Sequence, residues 1–132
     1  MQARLKTLQR ILAVQKDLQR LAEWKLALLQ HKESDLQKDQ ERLVTYLDEN
    51  HTFTPTYAKT IAAKLHSLAA EKQRTVAEKQ LQAERMLEQA RRVGQAERRV
   101  EATTGIMRRA EERRELADTI EAEVNRKLVS PR

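Results

Sequence analysis

The sequence predicts an all-α protein, folded as a long antiparallel two-helix coiled-coil hairpin with a longer second helix. Three observations predict this fold. Residues 1–49 contain neither Gly nor Pro. Apolar residues recur along this stretch at the alternating spacing of four and three residues that is typical of coiled coils. Only one clear break in the helical pattern occurs, in residues 50–56, which read Asn-His-Thr-Phe-Thr-Pro-Thr.

The break has the residues of a helix end followed by a helix start. Asn50 can take the left-handed conformation that closes a helix. Thr54 can cap the next helix through its hydroxyl, and Pro55 suits the first helical position, where its missing N–H is not needed. A connection this short makes the two helices antiparallel neighbours. We expect one hairpin over residues 1–132, with helix 1 at about 2–49, a turn at 50–55 and helix 2 at about 56–128.

The composition is typical of long helices and not of a globular core. Of 132 residues, 35% are charged and 3% are aromatic, and two are Gly. Such polarity is also found in disordered chains, but the regular Leu spacing favours order. Cysteine is absent, which excludes disulfides and thiolate metal sites. No apolar block has the length of a signal peptide core or a membrane span, so we expect a soluble cytoplasmic protein.

The first helix carries two apolar stripes. The 4-3 spacing from Met1 predicts an interior seam, and ten of its fourteen positions are apolar. The seam positions are Met1, Leu5, Leu8, Leu12, Gln15, Gln19, Ala22, Leu26, Leu29, Glu33, Leu36, Gln40, Leu43 and Leu47. A second stripe runs beside it at Ile11, Val14, Leu18, Leu21 and Leu28. Trp24 lies off both stripes. It is either a rim residue packed along a neighbouring stem or an anchor for another protein, because Trp is enriched at binding hot spots.

The second helix begins with a clear stripe and continues with a weaker one. Its first apolar positions are Tyr57, Ile61, Leu65 and Leu68. Its middle offers Val76, Ala83, Met86, Ala90, Val93 and Val100, which predict a thin seam. Gly94 and Gly105 each cost a helix about 1 kcal/mol relative to Ala, and they are either bends or simply tolerated.

Helix 1 is too short to cover the end of helix 2, beyond Gly105. A stripe in a shifted phase begins there, at Ile106, Ala110, Ala117, Ile120 and Val124, with Leu116 and Leu128 beside it. About 23 helical residues would project ~35 Å past the first helix. An uncovered apolar stripe on a projecting helix is a candidate partner site, and the alternative is that this end frays.

The sequence contains no recognisable catalytic, cofactor or metal site. His31, His51 and His66 have no acidic or Cys companions at metal-ligand spacing, and phosphate-binding or nucleophile motifs are absent. Glu111 and Glu112 are adjacent, so they point in different directions on a helix. Two antiparallel helices also enclose no substrate pocket. We therefore predict a protein that is not an enzyme and that has no small-molecule substrate.

The chain is basic, with a formal charge of +6, and the excess lies in residues 51–132, with seventeen basic and twelve acidic residues. Arginine doublets occur at 91–92, 98–99, 108–109 and 113–114. A nucleic-acid site would need an uninterrupted basic stripe, but glutamates are interleaved. No aromatic residue follows Tyr57, so base stacking is excluded there. Glu88 and Arg92, and Glu123 and Lys127, have the spacing of helix-supporting ion pairs. A solvated mixed-charge face is favoured over a nucleic-acid site.

The sequence resembles the FliJ-like stalk proteins of bacterial flagellar export and their YscO-like injectisome counterparts. The resemblance covers nearly the whole chain as architecture. It is most specific at Phe53-Thr54-Pro55-Thr56-Tyr57-Ala58-Lys59, which resembles the entry to the second helix in FliJ-like members, and at the Arg/Glu-rich segment from Arg108 to Arg126.

This resemblance implies a non-catalytic stalk that binds an export ATPase hexamer, the export gate and export chaperones, with peripheral membrane association through the gate. The open end of the hairpin, residues 1–12 with 106–128, would enter the ATPase ring. The gate would contact Tyr57, Ile61, Leu65 and Leu68. An alternative is a general coiled-coil scaffold or homo-oligomer that associates through residues 5–29. A basic-helix nucleic-acid binder is the third hypothesis.

Overall fold

A computed structural model of the chain describes residues 2–49 and 55–129, and all of them are helical. Helix α1 spans Gln2–Glu49 and helix α2 spans Pro55–Val129. The two helices pack against each other as an antiparallel hairpin with a longer second helix, which confirms the predicted fold class. The predicted roles of Asn50 and Thr54, the rest of the turn, and the two chain ends at 1 and 130–132 lie outside the described residues.

The interior seam of α1 lies where the 4-3 spacing predicts it. Every described seam position from Leu5 to Leu47 is buried or half-buried, and Ala22 and Leu36 are the most buried. The polar seam members, such as Gln15 and Glu33, are half-buried like their apolar neighbours. Position in the heptad, and not hydrophobicity alone, therefore decides which side chains of α1 face the second helix.

The seam of α2 is more polar than the sequence analysis expected. A strict 4-3 spacing from Ile61 reaches Met107, and every position on it is buried or half-buried. Four of its most buried members are polar, namely Thr75, Gln82, Gln89 and Thr103. Val76 and Ala83 are half-buried beside this seam, and Val93 is buried in it. Ala90 is exposed, so its assignment to the seam was wrong.

The chain divides into two compact units, one of which comprises residues 17–91. In this unit the Lys79 Nζ lies 2.6 Å from the Glu33 Oε2, and the Gln82 Nε2 donates to the Ala22 carbonyl at 3.1 Å. Lys72 also donates to Gln37. The residue numbers of the partners fall along α1 as they rise along α2, which is the antiparallel pairing. Among the described residues no buried side-chain polar atom lacks a hydrogen-bond partner.

The other unit comprises residues 1–16 and 92–132. Within it Val93, Ala96 and Thr103 of α2 are buried. Leu8 of α1 and Ile106 of α2 line a common groove of 250 Å³, so the first turns of α1 lie against this part of α2. Met107 is the last half-buried residue of α2, and every described residue after it is exposed.

Gly94 and Gly105 both lie inside the continuous helix α2. Neither has a positive φ. A Cβ built at Gly94 would meet no heavy atom within 4 Å, and one at Gly105 would meet only the Arg109 side chain, at 3.6 Å. No close approach of another atom and no positive φ therefore requires glycine at either position.

Candidate partner-binding surfaces

The end of α2 carries the first candidate surface, which we name the terminal stripe: Ile106, Ala110, Ala117, Ile120 and Val124. All five residues are exposed, and Ile120 is 56% exposed. Leu116 and Leu128 beside it are exposed as well. Ile106 lines a groove with Leu8 of α1, whereas the other four members lie in the exposed part of α2 beyond Met107. Binding of a partner there stays a prediction.

Two local side-chain interactions occur on the helix under the terminal stripe. The Thr119 hydroxyl donates to the Glu115 carbonyl at 2.8 Å, and Arg126 pairs with Glu123 at 2.6 Å. The spacing in the sequence suggested Lys127 as the partner of Glu123, but in the structure the partner is Arg126, one residue earlier. Both cations lie in the last turn, where they interact favourably with the negative end of the helix dipole. Residues 108–129 hold six basic and six acidic residues, so the segment has no net charge.

The predicted gate-facing surface at the start of α2 is mostly interior. Ile61 and Leu68 are 5% and 4% exposed, and Leu65 is half-buried. These three side chains form part of the seam with α1. Tyr57 is the exposed member of the set. A hydrogen bond between Tyr57 and Tyr46 of α1, together with the charge that Tyr57 can carry and slight burial, raises the pKa of Tyr46 above 10.0.

A third surface lies on the outer side of α1. The second stripe, Ile11, Val14, Leu18, Leu21 and Leu28, is 42–55% exposed throughout. Trp24 is 58% exposed, so most of its ring surface is not packed against a described residue. In the unit 17–91, Leu28 shares a groove of 330 Å³ with Leu81 of α2. Leu81 lies outside the predicted stripes of α2, although it directly precedes the seam position Gln82, as Leu28 precedes Leu29 in α1.

The described part of the chain was predicted to have no metal site at its histidines. No cluster of three or more His, Asp or Glu residues that could hold a metal occurs within 2–49 and 55–129. His31 does have an acidic neighbour, because its Nε2 lies 3.4 Å from the Asp35 carboxylate, so the expectation that it lacks one was wrong. That pair is exposed and isolated. His66 is exposed, and His51 lies outside the described residues.

Neither described helix contains a stretch that is long and apolar enough to span a membrane. Comparison of the chain with known proteins finds no matching family model, no matching curated protein and no matching solved structure. The function is therefore inferred from the three surfaces above.

Proposed function

We propose that the chain is a non-catalytic coiled-coil stalk component of a bacterial flagellar or type III protein export apparatus. In this role it binds the export ATPase ring, the export gate and export chaperones. The observation that supports the proposal most is the exposed terminal stripe of α2. The resemblance of residues 53–59 and of Arg108–Arg126 to FliJ-like proteins supports the choice of machine.

The terminal stripe has the properties of a helix that binds protein. Its apolar residues recur at helical spacing on one side of α2, while six basic and six acidic residues of 108–129 occupy the rest of the surface. An apolar stripe supplies contact area, and the mixed charges around it select partners and register. The ATPase ring would thus hold α2 by Ile106, Ile120 and Val124, with Ala110 and Ala117 allowing close approach.

At the start of α2, Tyr57 is the exposed residue that would contact the gate. Ile61, Leu65 and Leu68 could bind a partner only if the seam opened, because they pack against α1 in the closed hairpin. The four buried polar residues of the α2 seam favour a binding role over torque transmission. Polar residues at seam positions lower the stability of a coiled coil, and a weak seam transmits torque poorly.

The test is co-sedimentation of the full chain with a hexameric export ATPase, using Ile120→Asp as the disabling variant. A buried aspartate in an apolar contact is costly, so we expect at least a tenfold loss of binding with unchanged helix content by circular dichroism. Leu87→Asp is the matched control, because Leu87 is a similarly exposed apolar residue of α2 that lies outside the stripe. If the wild-type chain binds neither ATPase, gate nor chaperone, the proposal is wrong.

One observation favours a second candidate, a general coiled-coil scaffold that associates with copies of itself. The second stripe of α1 is apolar and exposed over residues 11–28, which overlaps the predicted self-association region 5–29. Sedimentation equilibrium separates the two functions. A stable dimer or tetramer of the isolated chain would support the scaffold, whereas a monomer that acquires a defined mass only with the ATPase would support the stalk.

A further inference from the structure

One apolar surface of the unit 17–91 takes no part in the proposed stalk contacts. We name it the lateral face, and define it by Leu18, Leu21, Trp24 and Leu28 of α1 with Leu81 of α2. Each of the five side chains is between 43% and 58% exposed. The hairpin seam is complete without them, since Ala22, Leu26 and Leu29 fill the seam at this level.

The lateral face is continuous along α1 and extends onto α2. Leu21, Trp24 and Leu28 are separated by three and four residues, so they are neighbours along one side of the helix. Leu28 and Leu81 line the same groove, together with Lys25 and Arg85. A partner that lies along α1 would therefore contact α2 in the same groove.

The spacing of the face selects a helical occupant. Leu18, Leu21 and Leu28 each lie one residue before a seam position, so they follow the repeat of the seam on the outer side of α1, with Lys25 at the remaining position between Leu21 and Leu28. A stripe with this period matches the apolar stripe of another α-helix over several turns, because both follow the same repeat. The occupant would be the third helix of a local three-helix coiled coil.

The charges around the groove select an acidic occupant. Lys25 and Arg85 line it, and Glu78 is its one carboxylate. Neither cation forms an ion pair with a described residue, whereas Lys32, one heptad from Lys25 on the same side of α1, is 3.8 Å from Glu71. A second copy of the chain would bring another charge of +6 to this surface. Acidic side chains on the occupant would pair with the two unpaired cations.

We propose that the lateral face binds an amphipathic helix of another protein, with apolar residues at 4-3 spacing and Asp or Glu at the flanking positions. The apolar residues lie between Leu21, Leu28 and Leu81, and the acidic residues reach Lys25 and Arg85. This site is separate in sequence from the terminal stripe, so it stands whether or not the stalk proposal does.

The test uses the full chain and two synthetic helical peptides, which carry the same Leu heptads and differ only in having Glu or Lys at the flanking positions. Trp24 is the only Trp, so its fluorescence reports on this face. We expect the Glu peptide to shift the Trp24 emission to shorter wavelength. It should bind at least tenfold more tightly than the Lys peptide, by anisotropy of the labelled peptide.

Two variants test the assignment of residues. Leu21→Glu should weaken binding of the Glu peptide at least tenfold, while Leu87→Glu, an exposed residue of the same unit outside the face, should not change it. The double charge reversal Lys25→Glu with Arg85→Glu should reverse the preference toward the Lys peptide. Equal binding of both peptides, or full binding by the Leu21→Glu chain, would overturn the proposal. So would a wild-type dimer that Leu21→Glu dissociates, because the occupant would then be a second copy.

Discussion

Lys79 of α2 and Glu33 of α1 form an ion pair across the hairpin seam, with the Nζ and Oε2 atoms 2.6 Å apart. The side chains are 31% and 25% exposed, so water screens this pair less than a pair on the open surface. Both residues occupy seam positions, where the heptad pattern would place apolar side chains. The pair therefore fixes which residues of the two helices lie opposite each other.

We expect the Lys79–Glu33 pair to stabilise the hairpin measurably. A double-mutant cycle with Lys79→Met and Glu33→Gln should give a coupling free energy of about 1 kcal/mol, at the upper end of the range for partly exposed pairs. The measurement is urea denaturation followed by circular dichroism. The exposed pair of Arg20 and Asp17, 75% and 72% exposed, is the control, and its coupling should be below about 0.5 kcal/mol. Equal coupling free energies for the two pairs would contradict a larger stabilising contribution from the seam pair.

The sequence predicted α1 better than α2, and the reason lies in particular residues. In α1 most seam positions are Leu, so the period can be read directly although four positions, Gln15, Gln19, Glu33 and Gln40, are polar. In α2 the buried positions include Thr75, Gln82 and Gln89, while apolar Ala90 is exposed. The hydrophobicity of individual residues therefore predicts the wrong buried side of α2 in this region. Only the unbroken 4-3 count from Ile61 identifies the seam.

The candidate surfaces were predictable to different degrees. The exposure of α2 beyond Met107 could be predicted by counting residues along the two described helices. The burial of the predicted gate-facing residues at the start of α2 could not be predicted. Ile61 and Leu68 have the same apolar spacing whether they pack against α1 or bind a partner. Leu28 and Leu81 come from different helices and line one groove. Whether they come together depends on the register in which the two helices pair, and the spacing within each helix does not determine that register.

Tyr46 should ionise at a higher pH than an isolated tyrosine, because of its contact with Tyr57. The hydrogen bond to Tyr57 and the repulsion from its phenolate both favour the neutral form of Tyr46, so its pKa is raised above 10.0. A titration of the Tyr46 ring, followed by NMR, should show that it ionises above pH 10.0. In Tyr57→Phe, which removes both effects, the pKa of Tyr46 should fall toward its ordinary value.

The same shift makes the stability of the turn end depend on pH. Because the folded-state pKa of Tyr46 lies above the unfolded value of 10.0, its stabilising contribution is fully present below pH 10. The contribution is lost as the pH rises through the folded-state pKa. Thermal unfolding at pH 8 and at pH values above 10 should show a decline that is smaller in Tyr57→Phe. A decline of equal size in both proteins would exclude this pair as its source.

Replacement of Gly94 by Ala should stabilise the protein. Gly94 lies within α2 without a positive φ, and an added Cβ meets no heavy atom within 4 Å. Ala restricts the unfolded chain and favours the helix, so we expect a gain of about 1 kcal/mol in the free energy of unfolding, measured by urea denaturation. Gly105→Ala should give a similar gain, since its Cβ would make an ordinary contact of 3.6 Å with the Arg109 side chain. Destabilisation by either change would show that the helix needs the glycine.

Gln82 tests whether the polar seam of α2 limits the stability of the hairpin. Its Nε2 donates to the Ala22 carbonyl at 3.1 Å, and the residue is 7% exposed. That carbonyl also accepts the i+4 amide within α1, so Gln82→Leu leaves no buried acceptor unpaired. Leu loses one hydrogen bond worth about 1 kcal/mol but places an apolar side chain of similar volume in the seam, which contributes about 2 kcal/mol. We therefore expect a net gain of about 1 kcal/mol in urea denaturation. Gln82→Ala, which loses both the bond and the volume, should destabilise by a similar amount. Destabilisation by Leu as well would mean that the hydrogen bond to Ala22, and not apolar burial, holds the helices together at this level.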